Sequence, residues 1–258
     1  MQYLKKYDLK GKGVLITGGA QAIGFACSEA VGECGAKVYI ADLNKEIGDK
    51  AVEQLSQQGV VAKFIQMDVT DSSRVAEVAK ELNSGDDRVD VLVCNAGIAR
   101  SETPAEEVAD EHWLNVVDVN LNGLFWCCRS FGKYMLERNS GVIVNIGSMS
   151  GFVVNKPQPQ AYYNASKAAV HQLTKSLAAE WATRGVRVNA VAPTYIDTPL
   201  NQFVKSNKEM YNAWLDGTPM GRLGTCEEVA SAVMFLATDA SSLLTGSIVL
   251  TDGGYTCW

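Results

Sequence analysis

The sequence predicts an α/β fold, a doubly wound seven-stranded parallel sheet with helices on both faces. Short apolar runs such as Val14–Ile16 and Val186–Val191 recur along the 258 residues. The runs are continuous rather than alternating, which is typical of parallel strands buried on both sides. Stretches with apolar residues at helical spacing separate them. No linker rich in Pro, Gly or Ser interrupts this alternation, so we predict one domain over residues 1–258.

The predicted strands follow one another along the whole chain, at Val14–Ile16, Val38–Ile40, the weaker Val60–Met67, Val91–Val93, Val142–Val144, Val186–Val191 and Ile248–Leu250. Helical spacing of apolar residues predicts helices around Ile23–Cys34, Ile47–Leu55, Val170–Trp181 and Val229–Leu236.

Two segments depart from the alternation. Val108–Arg138 is one long helical stretch that is apolar on nearly all sides, and such a helix must be covered on every face. The sheet covers one side, so we expect another subunit to cover the other. Thr194–Thr225 is irregular and follows a strand end, where long insertions often form a lid over a site.

Composition and charge argue against several classes of protein. The chain has 23 Lys and Arg against 29 Asp and Glu, a net charge of −6, so we expect no nucleic-acid partner. No apolar run approaches the ~18–20 residues of a membrane span, and the N-terminus lacks the apolar core of a secretory signal, so we expect a cytoplasmic protein. Seven cysteines without a Cys-x-x-Cys pair, and only two histidines, predict free thiols and no zinc site.

A glycine-rich turn, Thr17–Gly24, follows the first predicted strand and opens the first helix. Glycines there allow a tight turn, a close approach of the backbone to a pyrophosphate, and N–H groups of the helix that face the anion. We therefore predict a Rossmann-like dinucleotide site. Ala22 stands where a third glycine is expected, so we predict a slight adjustment of the backbone there.

Asp42 ends the second predicted strand. A carboxylate at this point can accept hydrogen bonds from the adenosine ribose and repels a 2′-phosphate. No Lys or Arg stands among the variable turn residues Gly19–Gln21 to offset that repulsion. The residue therefore predicts NAD in preference to NADP, and the alternative is that Asp42 simply caps the next helix.

Tyr163 and Lys167 open a predicted helix at a spacing that puts the phenol and the ammonium on one face. A phenol has a pKa of about 10 and is a poor base near neutral pH, and a nearby positive charge lowers that pKa. Ser148 follows the strand Val142–Val144, at the edge where open α/β sheets bind ligands. A Tyr-x-x-x-Lys pair alone is common on helices, so Tyr163, Lys167 and Ser148 indicate a catalytic site only in combination.

The chain resembles the short-chain dehydrogenase/reductase family over nearly its whole length. The motifs occur in the family's order, at Thr17–Gly24, Asp68-Val69, Asn95-Ala96-Gly97, Asn120, Ser148, Tyr163-x-x-x-Lys167 and Pro193–Thr198. The resemblance implies reversible hydride transfer between a secondary alcohol and NAD. It also implies a cofactor half over about residues 8–150, then the catalytic helix and a substrate lid over about residues 151–258.

The resemblance implies four catalytic residues. Tyr163 exchanges a proton with the substrate oxygen, which Ser148 holds, while Lys167 binds the nicotinamide ribose and lowers the pKa of the tyrosine. Asn120 interrupts its helix and holds a water that leads from Lys167 to solvent. The cofactor is expected to contact Gly18, Gln21, Ile23, Gly24, Asp42, Asp68, Val69, Asn95, Gly97, Tyr163, Lys167, Ile196 and Thr198.

Two of these positions leave local alternatives open. Asp68 can instead cap a helix, although Thr70 and Asp71 are better candidates for that cap. Thr194 replaces the glycine that the family usually has after Pro193, which leaves the local turn open without touching a catalytic atom.

The loop after Ser148 carries Asn155 and Gln158, whose amides suit the hydroxyls of a sugar alcohol. We predict that they bind substrate together with Ser148 and Tyr163, and the alternative is that both amides face solvent. This loop and the ending Tyr255–Trp258 resemble galactitol and related polyol dehydrogenases, so we expect interconversion of a polyol and a ketose. The alternatives are a 3-oxoacyl-carrier-protein reductase and a non-catalytic dinucleotide sensor.

Trp258 ends the chain, where fraying is the default, and burial of its indole is worth a few kcal/mol. We expect it to dock against a neighbouring subunit in a homotetramer, an assembly that is common in the resembled family. The terminal carboxylate is also a candidate ligand for a structural divalent cation.

Overall fold

The computed structural model describes residues 2–85, 87–99 and 103–258. Within them, seven parallel strands form one sheet in the order β3-β2-β1-β4-β5-β6-β7. The strands are β1 Gly13–Thr17, β2 Lys37–Asp42, β3 Ala62–Gln66, β4 Val91–Cys94, β5 Gly141–Ile146, β6 Val186–Pro193 and β7 Ile248–Thr251. The predicted strands and the doubly wound α/β fold are confirmed.

The helices of the described residues lie between the strands, as in other folds of this class. They are α1 Ala22–Glu33, α2 Lys45–Gln57, α3 Ser72–Glu81, α4 Asp110–Val117, α5 Leu124–Glu137, α6 Ala161–Trp181, α7 Lys208–Asp216 and α8 Cys226–Ala237. One core packs α1, α2 and α8 against one face of the sheet, and a second packs α3, α5 and α6 against the other.

Both faces of each central strand are buried, which explains the continuous apolar runs. Leu15 of β1 belongs to the core that contains α5 and α6, while Val14 and Ile16 belong to the core that contains α1 and α8. All three side chains are fully buried. A polar side chain at any of these positions would be buried in a core. The sequence of β1 therefore lacks the alternation of apolar and polar residues that is typical of a half-exposed strand.

The strand order reverses at β1, which pairs with β2 on one side and β4 on the other. In open α/β sheets, ligands bind outside the carboxyl ends of the strands at such a switch point. The fold therefore places the ends of β1, β4 and β5 around one crevice.

The long helical stretch predicted over Val108–Arg138 is confirmed in part. It consists of α4 and α5, joined by a π-helical turn at Asp118–Gly123. Within it, Trp113 and Leu114 remain 43% and 56% exposed, so the described chain does not cover every face.

The prediction that Thr194–Thr225 is irregular is wrong for two parts of it. Pro199–Ser206 forms a 3₁₀-helix, and α7 follows after Asn207, whose side chain accepts the N–H of Met210 as an N-cap. Met210 and Trp214, one helical turn apart, bury their side chains in a small third core. The helix buries only these two side chains, so the sequence shows too few apolar positions to reveal the helical period.

Candidate active site

A cleft of about 400 Å³ lies at the carboxyl ends of the strands. It brings together residues that are far apart in the sequence, and most of the predicted site residues line it. Those that do are Gly18, Gln21, Ile23, Gly24, Asp42, Asp68, Val69, Asn95, Gly97, Ser148, Tyr163, Lys167, Ile196 and Thr198.

The glycine turn forms one wall of the cleft and is held from behind by Asn95. The Asn95 amide donates to the carbonyl oxygens of Thr17 at 3.1 Å and Gly18 at 2.9 Å. A Cβ atom on Gly24 would lie 2.0 Å from the Gly18 carbonyl oxygen, so only glycine fits where α1 approaches the turn. Ala22 has a φ of +49°, the left-handed conformation that favours glycine, and the predicted slight adjustment of the backbone there stays a prediction.

Asp42 and Asp68 stand at the adenosine end of the cleft implied by the family resemblance. The Asp42 carboxylate accepts the backbone N–H groups of Ala20 at 3.4 Å and Asn44 at 3.3 Å. Asn44, not Asp42, is the N-cap of α2, and Asp71 is the N-cap of α3. Neither Asp42 nor Asp68 is therefore the N-cap of the helix that follows it, and the helix-cap alternative is wrong for both.

Asn120 lies in the π-helical turn and is buried, which confirms that it interrupts its helix. Its side-chain oxygen accepts the N–H of Ile98 at 2.8 Å, and its amide donates to the Ile98 carbonyl oxygen at 2.9 Å and to Ser166 Oγ at 3.2 Å. The residue thus joins the segment after β4 to the helix α6. Its predicted role with a water molecule stays a prediction.

Lys167 is buried beneath the cleft on α6. Its ammonium donates to the Ile146 carbonyl oxygen at 2.9 Å and lies 5.7 Å from the centroid of the Tyr163 ring. Burial lowers the pKa of Lys167 to about 8. The charged and neutral forms of this amine are therefore both accessible near physiological pH.

The phenol of Tyr163 has an environment that differs from the expected one. Burial raises the pKa of Tyr163, and a hydrogen bond with Ser148 lowers it by less. The Lys167 ammonium donates to the Ile146 carbonyl oxygen, and its expected lowering of the Tyr163 pKa stays a prediction. A net lowering of this pKa requires positive charge close to the phenol, either that of a bound ligand or that of a Lys167 ammonium that turns towards it.

Ser148 is held by both its backbone and its side chain. Its hydroxyl oxygen accepts the N–H of Ser150 at 3.1 Å and lies 3.0 Å from Ser150 Oγ. Its backbone N–H donates to Nε2 of the buried His171 at 3.4 Å. Burial, with help from Lys167 and Lys175, lowers the pKa of His171 to about 4, so the ring is neutral and Nε2 is free to accept.

Asn155 and Gln158 do not line the cleft, and their predicted contact with substrate has to be corrected. Their amides donate to the hydroxyl oxygen of Tyr195 at 2.9 Å and 3.2 Å. Because Asn155 is 5% exposed and Gln158 is 4% exposed, the solvent-facing alternative is also wrong. Nothing in the local sequence indicates their partner, which comes from the segment after β6.

Thr194, at the family's usual glycine position, also lines the cleft. Its backbone N–H donates to the Thr251 carbonyl oxygen at 3.3 Å, and Ile196 forms an isolated bridge with Gly224. These contacts fix the backbone of the segment after β6, which carries Ile196 and Thr198. The turn is therefore held in one conformation without the glycine.

The described residues contain no group of three or more His, Cys, Asp or Glu side chains that could hold a metal ion. Near the C-terminus, the Asp252 carboxylate already accepts hydrogen bonds from Gly254 and Thr256. The cation predicted there has no side-chain cluster to support it. Among the helices of the described chain, none combines the length and apolar character needed to cross a bilayer.

Comparisons with known proteins agree with this geometry. A family model described as enoyl-(acyl carrier protein) reductase matches residues 18–256. A galactitol 2-dehydrogenase of Rhizobium johnstonii is 51% identical over 258 residues, which is 100% of both chains. The chain belongs to the short-chain dehydrogenase/reductase family.

Other short-chain dehydrogenases/reductases are similar over the same length. The galactitol 2-dehydrogenase (L-tagatose-forming) of Cereibacter sphaeroides is 44% identical, with 100% of both chains covered. The crystal structure of gox2181 is 52% identical and superposes with a TM-score of 0.98 over 100% of both chains. A gluconate 5-dehydrogenase of Burkholderia cenocepacia, solved with NADP and tartrate, is 32% identical, with a TM-score of 0.94 and 99% of both chains covered.

Proposed function

We propose that this short-chain dehydrogenase/reductase interconverts a secondary alcohol of a polyol and the corresponding ketose, with NAD as its cofactor. The observation that carries the proposal is that Ser148, Tyr163 and Lys167 line the same cleft as the glycine turn. A site for proton exchange and a site for a dinucleotide therefore share one space. The 51% and 44% identical relatives are galactitol 2-dehydrogenases, which supports a polyol as the alcohol.

The cleft fits a dinucleotide in shape and in chemistry. Gly18, with a φ of +61°, forms the turn, and Gly24 lets the start of α1 pack directly against it, since a Cβ atom on Gly24 would lie 2.0 Å from the Gly18 carbonyl oxygen. The N–H groups at the start of this helix suit a pyrophosphate. Asp42 would hold the adenosine ribose, Lys167 the nicotinamide ribose, and Ile196 and Thr198 the carboxamide. When bound, the nicotinamide supplies the hydride acceptor or donor.

The chain's own residues handle the proton. In the direction of oxidation, the Tyr163 phenolate takes the proton of the substrate hydroxyl, and Ser148 holds the same oxygen by a hydrogen bond. In the direction of reduction, the phenol returns this proton. Positive charge beside the ring offsets the burial that raises the pKa of Tyr163. Lys167 can supply that charge by turning its ammonium from Ile146 towards the cleft.

The preference for NAD rests on Asp42. Its carboxylate lines the cleft at the end of β2, where it would repel a 2′-phosphate. The backbone N–H groups of Ala20 and Asn44 hold it in place. A relative solved with NADP shows that membership of the family does not decide the cofactor, so the support for NAD is the charge of Asp42.

Replacing Asp42 tests the cofactor preference. We expect Asp42→Ser to lower kcat/KM with NAD and to raise kcat/KM with NADP about tenfold, an effect of about 1.4 kcal/mol from lost repulsion. Steady-state rates with both cofactors measure it, and Asp49→Ser, an exposed carboxylate on α2, is the control. A wild type that uses NADP ten times better than NAD would contradict the assignment.

A panel of hexitols, pentitols and simple diols tests the substrate class. We expect NADH to form fastest with a hexitol such as galactitol at alkaline pH, where the phenolate is more populated. Tyr163→Phe should lose about 10²–10⁴ in kcat and still bind NADH. Faster reduction of a 3-oxoacyl thioester than of any ketose would instead support a carrier-protein reductase, and no turnover of any alcohol would support a dinucleotide sensor.

We also propose that the protein assembles as a homotetramer. The support is apolar surface that the described chain leaves open, including Trp113 and Leu114 on α4 and Trp258, which is 80% exposed. Exposed apolar area of this kind is typical of subunit contacts.

A further inference from the structure

Two polar side chains of the cleft, those of Thr194 and Asn201, have no task in the proposed reaction. The expected contacts of the cofactor and of the reacting oxygen involve the other polar side chains of the described residues that line the cleft, which are Gln21, Asp42, Asp68, Asn95, Ser148, Tyr163, Lys167 and Thr198. Thr194 and Asn201 both belong to the segment after β6. This segment therefore supplies the polar side chains that are left for the rest of the substrate.

The segment begins beside the catalytic serine. The Pro193 carbonyl oxygen, at the end of β6, lies 3.5 Å from Ser148 Oγ, and Thr194 follows directly. Residues further along the segment, Asn201 among them, also line the cleft. A substrate whose reacting oxygen contacts Ser148 would therefore lie next to the beginning of this segment.

Thr194 does not present its hydroxyl to the cleft. Its Oγ1 atom is buried in the protein and has no hydrogen-bond partner in the described part of the chain. Because this oxygen is out of reach of solvent, it is other atoms of Thr194 that line the cleft. Asn201, whose side chain is half-buried, is thus the remaining residue whose polar atoms are open to a ligand.

Two hydrogen bonds hold Asn201 near the start of the 3₁₀-helix Pro199–Ser206. Its backbone N–H donates to the Thr198 carbonyl oxygen at 2.9 Å, and its amide nitrogen Nδ2 donates to the Ile196 carbonyl oxygen at 2.8 Å. Ile196 and Thr198 are the two residues expected beside the nicotinamide carboxamide. The amide is therefore attached to the nicotinamide end of the cleft and is oriented before a ligand binds.

The amide of Asn201 keeps part of its hydrogen-bonding capacity. An asparagine side chain offers two N–H protons and a carbonyl oxygen. Ile196 takes one proton, and within the described residues the second proton and Oδ1 have no partner. A hydroxyl group both donates and accepts, so it can bond with either of these groups. Because the amide carries no charge, it suits the neutral hydroxyl groups of a sugar alcohol.

We propose that Asn201 binds a hydroxyl group of the polyol chain beyond the reacting carbon and so selects polyols over simple secondary alcohols. The inference rests on the proposed function, because it names the residue that recognises the substrate class. A substrate without that hydroxyl leaves the amide unpaired, which is how a polar site rejects an analogue that lacks the group. Asn155 and Gln158, the amides that the sequence suggests for this task, donate to Tyr195 instead.

The first test replaces Asn201 with leucine, which keeps the approximate shape of the side chain and removes its polar atoms. We expect the ratio of kcat/KM for galactitol to kcat/KM for 2-butanol to fall about tenfold, the scale of one hydrogen bond, through a higher KM for galactitol. The substitution also removes the bond to Ile196. If that were its whole effect, both substrates would lose equally, and the unchanged ratio would overturn the inference.

The affinity for NADH and a control variant separate recognition of substrate from other effects. The Kd of NADH should stay at the wild-type value in Asn201→Leu, because Asn201 is assigned to the substrate and not to the cofactor. Asn212→Leu makes the same change at an exposed asparagine of α7 that does not line the cleft, and it should keep the wild-type ratio. Weaker binding of NADH with an unchanged ratio would place Asn201 in the cofactor site and overturn the inference.

The second test removes the hydroxyl from the substrate, and it also covers the case in which Asn201→Leu does not fold. Among the monodeoxygalactitols that keep the reacting hydroxyl, at least one should lose about tenfold in kcat/KM with wild type. With Asn201→Ala, that analogue and galactitol should react equally well, because each change removes the same hydrogen bond. Equal kcat/KM for all analogues with wild type, or a loss that persists in full in Asn201→Ala, would overturn the inference.

The inference and the proposed function fail differently. If wild type oxidises galactitol no better than 2-butanol, a polyol is not its substrate and the proposed function fails. If wild type prefers galactitol and Asn201→Leu keeps that preference, only the recognition by Asn201 fails.

Discussion

At the scale of single residues, His171 holds the backbone of Ser148 from below the cleft. It follows Lys167 by one turn of α6, and its ring packs against Phe152 with centroids 4.5 Å apart. A Cβ atom on Gly147 or Gly151 would lie 2.5 Å from an atom of this ring, so the two glycines make room for it. The imidazole therefore fixes the course of the loop that carries Ser148.

His171 predicts a loss of stability in mild acid. Its folded-state pKa of about 4 lies below the ordinary 6.5, so the buried neutral ring favours the folded state above pH 6.5, and this contribution is lost as the pH falls towards 4. We expect wild type to lose about 2 kcal/mol more unfolding free energy than His171→Gln between pH 7 and pH 4. Urea unfolding at both pH values measures the difference, and parallel losses in the two proteins would contradict it.

Single residues also show where the sequence is informative. Tyr163, Lys167 and Ser148 are predictable because helical spacing and the position after a strand end are local signals. The sequence predicts that Asn155 and Gln158 are polar residues of a loop. It does not predict the orientation of their side-chain amides, because their partner Tyr195 is distant in the chain. His171 and Asn201 lack a signal altogether, since each looks like an ordinary polar residue of a helix or helix start.

At the scale of elements, the contact between α1 and the glycine turn decides whether a dinucleotide fits. Alanine normally stabilises a helix by about 0.5–1 kcal/mol relative to glycine. At Gly24, however, a Cβ atom would lie 2.0 Å from the Gly18 carbonyl oxygen and 2.6 Å from Asn95 Nδ2. The methyl group can enter only if the helix moves away from the turn.

We therefore expect Gly24→Ala to weaken NADH binding at least about tenfold, a cost of about 1.4 kcal/mol from the displaced backbone. A fluorescence titration of NADH measures the Kd. Gly85→Ala is the matched control, because its Cβ atom would have nothing within 4 Å. Equal affinity in the two variants would mean that the turn does not contact the cofactor.

Elements differ in how well the sequence predicts them. The strands are recognisable because burial on both faces demands unbroken apolar runs. The helix α7 is not, because it buries only Met210 and Trp214 in a core of its own and exposes most of its remaining surface. Its position follows from stacking of Trp214 on Tyr195, a contact between distant segments.

At the scale of the whole molecule, the C-terminal segment links Tyr195 to the proposed subunit contact. Tyr255 packs edge-on against Tyr195, with ring centroids 5.6 Å apart, and Asp252 accepts hydrogen bonds from Gly254 and Thr256. The segment is thus fixed up to its last residues. Trp258 nevertheless remains 80% exposed, so an ordered backbone presents an indole that the chain itself does not cover.

An exposed indole on an ordered segment predicts a contact with another subunit. Because burial of this side chain is worth about 2–3 kcal/mol, Trp258→Ala should raise the concentration at which the tetramer dissociates by about 30–150-fold. Light scattering over a dilution series measures the molar mass, and Tyr3→Ala, an aromatic residue 70% exposed near the other end of the chain, is the matched control. A wild type that is monomeric at micromolar concentration would contradict the tetramer. A Trp258→Ala tetramer as stable as wild type would place the contact elsewhere, for example at the exposed Trp113 and Leu114 of α4.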